Sequence, residues 1–414
     1  MKLISFLGGH PYAPADYQYA GEVCHTSVVQ EAICKLLGTI DDIVLIATDG
    51  AREMTLEAVS AALRECGVGV TAVPIPDGKS EEELWEIFRA VVTSIDDGEE
   101  IVFDITHGFR SLPLVGFLSA AFLRTTGKAH ISHLLYGQYM GEGHPSPILD
   151  LTPFLSILDW TTGVNAFLES VDGKRIRELA NQTSKEAYLS GRPDAPVKLS
   201  KFAETLDAFS MATRMARPVE ALDKASLIAH NVADVIGEIE EFTPPLGMVL
   251  DKINAVGELG IAEPDLVTGI TWDHAEKQLG LIGYMIERGL FLQGVTLSRE
   301  WVITLMLLAR HGDGYPDWLD KDVRHGMEWT FGAGIRNMRG KYFEDTDYSD
   351  WYFSLDSEEV VTRLWIKITE IRNDFAHCGM RSNPTRVPTM NVKSKELYTE
   401  MCPLFKQIRE TFED

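Results

Sequence analysis

The chain has few cysteines: five in 414 residues, at 24, 34, 66, 378 and 402. None are spaced C-x-x-C and the count is odd, so no disulfide framework is encoded and reduced thiols are expected. Positive charge is scarce too, with 38 Lys and Arg against 62 Asp and Glu, a net charge of −24. That balance argues against broad, nonspecific nucleic-acid binding but leaves room for a local basic site. The segment 361–414 is the exception, with nine Lys or Arg against seven Asp or Glu. No uninterrupted apolar run reaches the ~18–20 residues of a membrane span. The first residues lack the length and cleavage site of a signal peptide. A cytoplasmic protein without membrane contact is expected. Neither G-x-G-x-x-G nor G-x-x-x-x-G-K-[ST] occurs, so the glycine loops that cradle dinucleotides and nucleoside triphosphates are missing.

What is present alternates. Leu3–Leu7, Asp42–Ala47, Gly69–Ile75, Ile101–Ile105 and Ala129–Tyr136 read as short apolar strands, with Pro147–Leu151 as a last one. Between them Ser27–Leu37, Glu53–Cys66, Glu81–Ile95 and Leu112–Leu123 read as helices. Repeated strand–helix units predict a mostly parallel, Rossmann-like sheet covered on both faces. After residue 155 the strand pattern stops and helical spacing runs to the end. Loops are expected at 190–196 and at Pro244-Pro245, and an acidic, aromatic one over Lys341–Ser357. Lys277–Phe291, Ser298–Leu308 and Glu358–Ala376 read as helices, the last with Val361, Leu364, Trp365, Ile368, Ile371 and Phe375 on one stripe.

Residues 101–113 are the most informative. An apolar strand switches abruptly to Thr106, His107, Gly108, Arg110 and Ser111, and a helix follows Pro113. Strands that end in small polar residues and feed a helix are where α/β proteins build ligand sites. The free amides of a helix start favour an anion, and Arg110 adds a donor fork for phosphate or a base edge. A plain tight turn, with Thr106 or Ser111 as helix cap, is the alternative.

In the helical half, Arg372-Asn373-Asp374-Phe375-Ala376-His377 closes a strong helix, and Gly379 is a natural stop. Arg372 and His377 stand about 140° apart on the helix, flanking its apolar stripe. Two such helices meeting across a dimer axis bring two Arg and two His into one cleft. Imidazole serves as base or acid, guanidinium holds a phosphate, and RNA supplies its own 2′-OH, so no metal is required. Dipole complementation at the helix end is the alternative. Glu300 is a candidate to orient Arg372. His130 and His133, three apart in a strand, are expected on opposite faces, which argues against a metal site.

The D-x-T-H-G-x-R-S stretch, Asp104–Ser111, resembles the CARF domain of CRISPR-associated proteins. Arg372-Asn373 with His377 resembles the R-x₄₋₆-H signature of HEPN ribonucleases. In this order they resemble the CARF–HEPN ancillary ribonucleases of type III CRISPR systems. The resemblance implies a CARF-like sensor over 1–155, a helical connector over 156–269 and an all-α HEPN-like domain over 270–414. It implies a homodimer whose paired CARF domains bind a cyclic oligoadenylate, with cyclic tetra-adenylate preferred, and a metal-independent endoribonuclease acting on single-stranded RNA. It assigns Thr106, His107, Gly108, Arg110 and Ser111 to the effector. Sheet geometry adds Gly8, Gly9 and His10 and Thr48, Asp49 and Gly50. It assigns Arg372, Asn373 and His377 to cleavage. Two alternatives stay open: a pocket that degrades its own cyclic ligand, and a helical half that only mediates interactions.

Overall fold

The computed structural model describes residues 1–108, 111–141, 143–189, 191, 196–240, 253–262, 268–380 and 382–413. The chain divides into two compact units, Met1–Asp159 and Trp160–Asp414. The first holds an eight-stranded sheet: β1 Lys2–Phe6, β2 Ala15–Tyr19, β3 Glu22–Thr26, β4 Asp42–Thr48, β5 Gly69–Ile75, β6 Glu99–Asp104, β7 Ala129–Gly137 and β8 Pro145–Asp150. Their spatial order is β3-β2-β8-β7-β6-β1-β4-β5. The stretch β7-β6-β1-β4-β5 is parallel throughout, and β8 joins β7 antiparallel. The mixed, mostly parallel sheet followed by an all-helical region is the architecture expected from the sequence.

The central strands are buried on both faces, which is why they read as continuous apolar runs. Leu3 and Leu7 join one core with Val29, Ile33, Val59 and Leu63. Ile4 and Phe6 join the other with Ile87, Val91, Val115 and Leu123. Each such side chain contributes about 1.5–3 kcal/mol by leaving water.

The hairpin β2–β3 lies where the sequence suggests no strand. Its turn residues Ala20 and Gly21 have φ of 49° and 87°, the two positive values of a twist-matched hairpin turn. The expected helix Glu53–Cys66 is two helices, Asp49–Met54 and Leu56–Glu65. Thr55 sits at the break, and its hydroxyl donates to the carbonyls of Ala51 (2.8 Å) and Gly8 (2.9 Å). The break therefore fastens the loop that follows β1. In β7 an irregularity displaces the register beside Ile101 and Val102. Ala129, Ile131 and Leu134 consequently share one core. By strand parity the inserted residue brings His130 and His133 to the same face, against the expectation. His133 is engaged with Asp150 at 3.0 Å.

The second unit packs its helices around one core containing Trp301, Leu305, Ile368, Leu397 and Leu404. Its centre is the helix Phe291–His311, longer at both ends than the expected Ser298–Leu308. By length and composition this one helix would cross a membrane, but 67% of its apolar window is buried inside the unit, as in an ordinary core helix. The expected loop Lys341–Ser357 contains a short helix, Ser349–Phe353. Most of the expected loop 190–196, and all of Pro244-Pro245, lie outside the described residues.

Candidate functional site

Chain order and strand order determine where a cleft must open. From β1 the chain builds β4 and β5 on one side, then crosses to β6 and β7 on the other. Loops leaving β1 and β6 diverge at this reversal, and a crevice forms at the strands' carboxyl ends. A cleft of about 830 Å³ lies there. Gly8, Gly9 and His10 line it from β1, Thr48, Asp49 and Gly50 from β4, and Thr106, His107 and Gly108 from β6. Ser111 occupies the cap position of the helix Leu112–Thr125, but its side chain makes no capping bond. Arg110 lies outside the described residues.

Beneath the cleft is a polar network that the sequence did not reveal. Asp104 is fully buried. It accepts hydrogen bonds from the Ser5 hydroxyl (2.6 Å), the Thr106 amide (3.0 Å) and the Thr106 hydroxyl. Gln30 Nε2 donates to Ser5 Oγ at 2.9 Å, and the Gly137 amide donates to Thr106 Oγ1 at 2.7 Å. Helix Val29–Leu37, β1, β6 and β7 are thereby tied at one point. Thr106 is used up as a brace: its hydroxyl gives its proton to Asp104 and receives one from Gly137.

Above the network His107 stacks on Tyr12, centroids 4.2 Å apart and planes within 6°. The Gly8 amide donates to Tyr12 Oη at 2.8 Å. Burial pushes the Tyr12 phenol up to about 12. Burial also lowers His107 from its ordinary 6.5, against the opposing charge of Asp104. Its Nε2 is buried without a hydrogen-bond partner. The imidazole thus lines the cleft with its Nε2 enclosed and unpaired. Gly108 has φ +119°, and a Cβ there would come within 2.9 Å of Leu112. Only glycine fits this turn. Among the described lining residues are the carboxylates Asp49 and Asp77 and no Lys or Arg. The described part of the cleft thus offers backbone amides, carboxylate acceptors and a stacked aromatic pair.

The second motif is assembled differently. Arg372 and His377 are both exposed at the end of the helix Glu358–Ala376. Arg372 Nη1 donates to Asn373 Oδ1 at 3.4 Å. The buried Asp374 accepts the Thr385 amide at 2.8 Å and holds the following turn. The helix ends at Ala376, as read from the sequence, and the first left-handed residue after it is Cys378, one before the glycine. Cys378 takes φ +53°, its amide bonds Phe375 O at 2.9 Å, and the Gly379 amide bonds Asp374 O at 3.1 Å. That paired closure is a Schellman motif with cysteine in the left-handed place. Glu300 does not orient Arg372. It accepts from Arg299 (2.5 Å) and Arg324 (2.9 Å), and Arg299 also bonds Glu328. Among the described residues no His, Cys, Asp or Glu cluster could hold a metal ion. A second cleft of about 830 Å³, which sequence reasoning missed, is lined by His325, Trp329, Arg336 and Trp365 with several carboxylates.

No family model matches the chain. It is 26% identical over 181 residues to the CRISPR-associated protein MJ1674 of Methanocaldococcus jannaschii, a match covering 42% of this chain and 27% of that protein. The chain thus matches only about a quarter of that relative's length. Among solved structures, Enterococcus italicus Csm6 bound to cyclic hexa-2′-fluoro-hexa-dAMP aligns over 98% of this chain and 93% of that one, at 9% identity and a TM-score of 0.45. Sequence similarity thus relates the chain to a CRISPR-associated protein, in agreement with the resemblance carried by Asp104–Ser111.

Proposed function

We propose that this protein is a type III CRISPR CARF–HEPN ribonuclease of the cytoplasm. A cyclic oligoadenylate, cyclic tetra-adenylate by preference, binds the first unit and activates cleavage of single-stranded RNA by the second. The observation that carries this reading is the convergence of Gly8, Thr48, Thr106 and His107 on one cleft at the strand reversal. Its chemistry suits adenylates: Tyr12 and His107 stack on a base, Asp49 and Asp77 accept from the adenine amino group, and loop amides meet phosphate. Arg110 and Ser111 complete the effector set.

Cleavage belongs to a homodimer in which two Arg372, two Asn373 and two His377 share one groove. One His377 takes the proton of the RNA 2′-OH, whose oxygen attacks phosphorus. The bond to the 5′-oxygen breaks, and that oxygen receives a proton from the second His377. The products are a 2′,3′-cyclic phosphate and a 5′-OH. Arg372 neutralises the charge that grows on the phosphoryl oxygens, so no metal ion is required. A ring on the dimer axis activates by binding the active arrangement better than the idle one.

The test is cleavage of a fluorescent single-stranded RNA in EDTA, with no effector, cyclic tetra-adenylate or cyclic hexa-adenylate, beside His377→Ala. Cleavage with one ring only, absent in the variant, supports the reading. No cleavage with either ring overturns it. A second activity is favoured by the His107 imidazole, which lines the cleft with its Nε2 unpaired: the cleft degrades its own ring. Effector loss in His377→Ala that stops in His377→Ala/His107→Ala supports this.

A further inference from the structure

The second cleft lies in the helical unit, along the helix Lys321–Met338. Asp322, His325, Trp329, Gly332 and Arg336 line it, three or four residues apart. That spacing is one helix face, about 21 Å long. Small residues make the room: a Cβ on Gly332 would meet nothing within 4 Å. The segment 344–347 lines the cleft from outside this helix. Its Thr346 shares a hydroxyl bond with Thr330, and the Thr346 amide donates to Ser349 Oγ at 2.9 Å. The nearly buried Trp365 lines the cleft from the helix Glu358–Ala376. Phe331 packs on Trp365 at 4.7 Å, and the Arg299 guanidinium lies 5.2 Å from its ring. Arg299 is itself held by Glu300 and Glu328. The lining is therefore braced from the protein side.

The cleft leads towards Arg372. A Cβ on Gly334 would lie 2.6 Å from Thr362 and 3.3 Å from Glu358, while Phe331 meets Trp365. The two helices therefore run antiparallel. From the Phe331–Trp365 contact, His325 lies six residues back and Arg372 seven residues on. These are rises of about 9 and 10 Å in the same direction. His325 and Arg372 consequently stand at one level. Seven residues also bring Arg372 round to the Trp365 side of its helix.

The lining is chemically selective. Trp329 is 68% exposed, and its ring stacks with His325, centroids 6.1 Å apart at 19°. An exposed aromatic pair in a cleft is a platform for an unpaired base. Around it Glu328, Asp345 and Asp347 offer acceptors only. Adenine, cytosine and guanine carry amino groups that such acceptors bind, whereas uracil sets carbonyl oxygens on both sides of its one N–H. The carboxylates also repel phosphate, so a base enters alone and its backbone stays at the rim beside Arg372. We infer that this cleft receives a base of the RNA substrate next to the cleaved bond, and selects adenine, cytosine or guanine against uracil. The inference deepens the proposed function and rests on its assignment of cleavage to Arg372 and His377.

The test uses the full chain with cyclic tetra-adenylate. Oligouridine and oligouridine carrying one adenosine, cytidine or guanosine are cleaved, and the cut sites are mapped. Cuts beside the inserted base are expected at least ~10-fold faster than cuts between uridines, as one well-made base contact discriminates. Asp345→Asn/Asp347→Asn supplies donors for uracil and is expected to erase that ratio. Trp329→Ala is expected to lower kcat/KM at the inserted base about 10-fold with an unchanged thermal midpoint, and Trp329→Phe to restore it. A second readout needs no cleavage. In His377→Ala, RNA quenches tryptophan fluorescence, more with oligocytidine than with oligouridine, and the difference disappears in His377→Ala/Trp329→Phe. Equal cutting at all bases, an unchanged ratio in the Asn variant, or quenching independent of Trp329 overturns the inference. Absence of cleavage in a wild type whose Trp329 is still quenched selectively overturns the proposed function and leaves the cleft a base-binding site.

Discussion

Around the cleft, Ser5, Gln30 and Asp104 are buried and bonded to one another, whereas Arg372 and His377 stand in solvent at a helix end. The first arrangement is complete within one chain: a helix residue 25 positions from Ser5 and a strand residue 99 positions from it deliver their polar groups to one point. The second holds its residues ready but encloses nothing. On the proposed function the first is a sensing site, which must keep its shape before its ligand arrives, and buried hydrogen bonds supply that rigidity. On the same proposal the second is completed only by a second chain, which suits a site that stays idle until activated.

The largest effect expected from this contrast is on catalysis. His377→Ala lowers the proposed effector-stimulated RNA cleavage by about 10²–10⁴-fold while moving stability by less than about 0.5 kcal/mol, as an exposed side chain should. A large loss of stability in urea unfolding would erase the distinction between the two regions. Asp104→Ala is expected to do the reverse. It strands the Ser5 and Thr106 donors in the interior and costs about 3 kcal/mol, read as a lowered urea midpoint. A wild-type midpoint would mean that the network is ornamental.

These two residues also mark how far sequence reading reaches. The parallel sheet was legible because strands buried on both faces are written as apolar runs. The cleft loops were legible because their position after β1, β4 and β6 follows from strand order. The hairpin β2–β3 was not: Asp16, Gln18 and Glu22 break the apolar pattern, and its turn uses Ala20-Gly21 where Asn-Gly would have signalled it. Nor was the brace of Gln30, Ser5 and Asp104, since no local pattern links residues that meet only after folding. The stack of Tyr12 on His107 was hidden for the same reason. His130 and His133 were misplaced because a single bulged residue reverses strand parity, and spacing alone does not announce it.

A smaller effect sharpens the contrast at the helix end. Cys378 holds a left-handed conformation that costs a residue with a Cβ about 1 kcal/mol. Cys378→Gly is therefore expected to stabilise the chain by about that amount in urea unfolding, with RNA cleavage retained. A loss of stability would mean that the thiol makes a contact outweighing the strain.

The smallest is a pH slope. Burial lowers His107 below 6.5, so the unfolded chain binds this proton before the folded one does. Stability owed to the neutral ring is complete above about pH 6.5 and declines as pH falls towards the folded value. His311, also lowered by burial and by Arg310, adds to the slope. His107→Gln is expected to flatten the dependence of the urea midpoint on pH without abolishing it. An unchanged slope would place the imidazole in water rather than in the cleft.

The packing at Gly116 has a mechanical consequence. A Cβ there would lie 2.8 Å from Phe6 and 2.9 Å from Ile105, so the helix Leu112–Thr125 bears closely on the sheet at this residue. Tilting about such a fulcrum leaves a short arm of about 6 Å towards the cleft and a long arm of about 13 Å towards Thr125, at 1.5 Å per residue. A small push on the loop at Gly108 thus emerges roughly doubled at the far end.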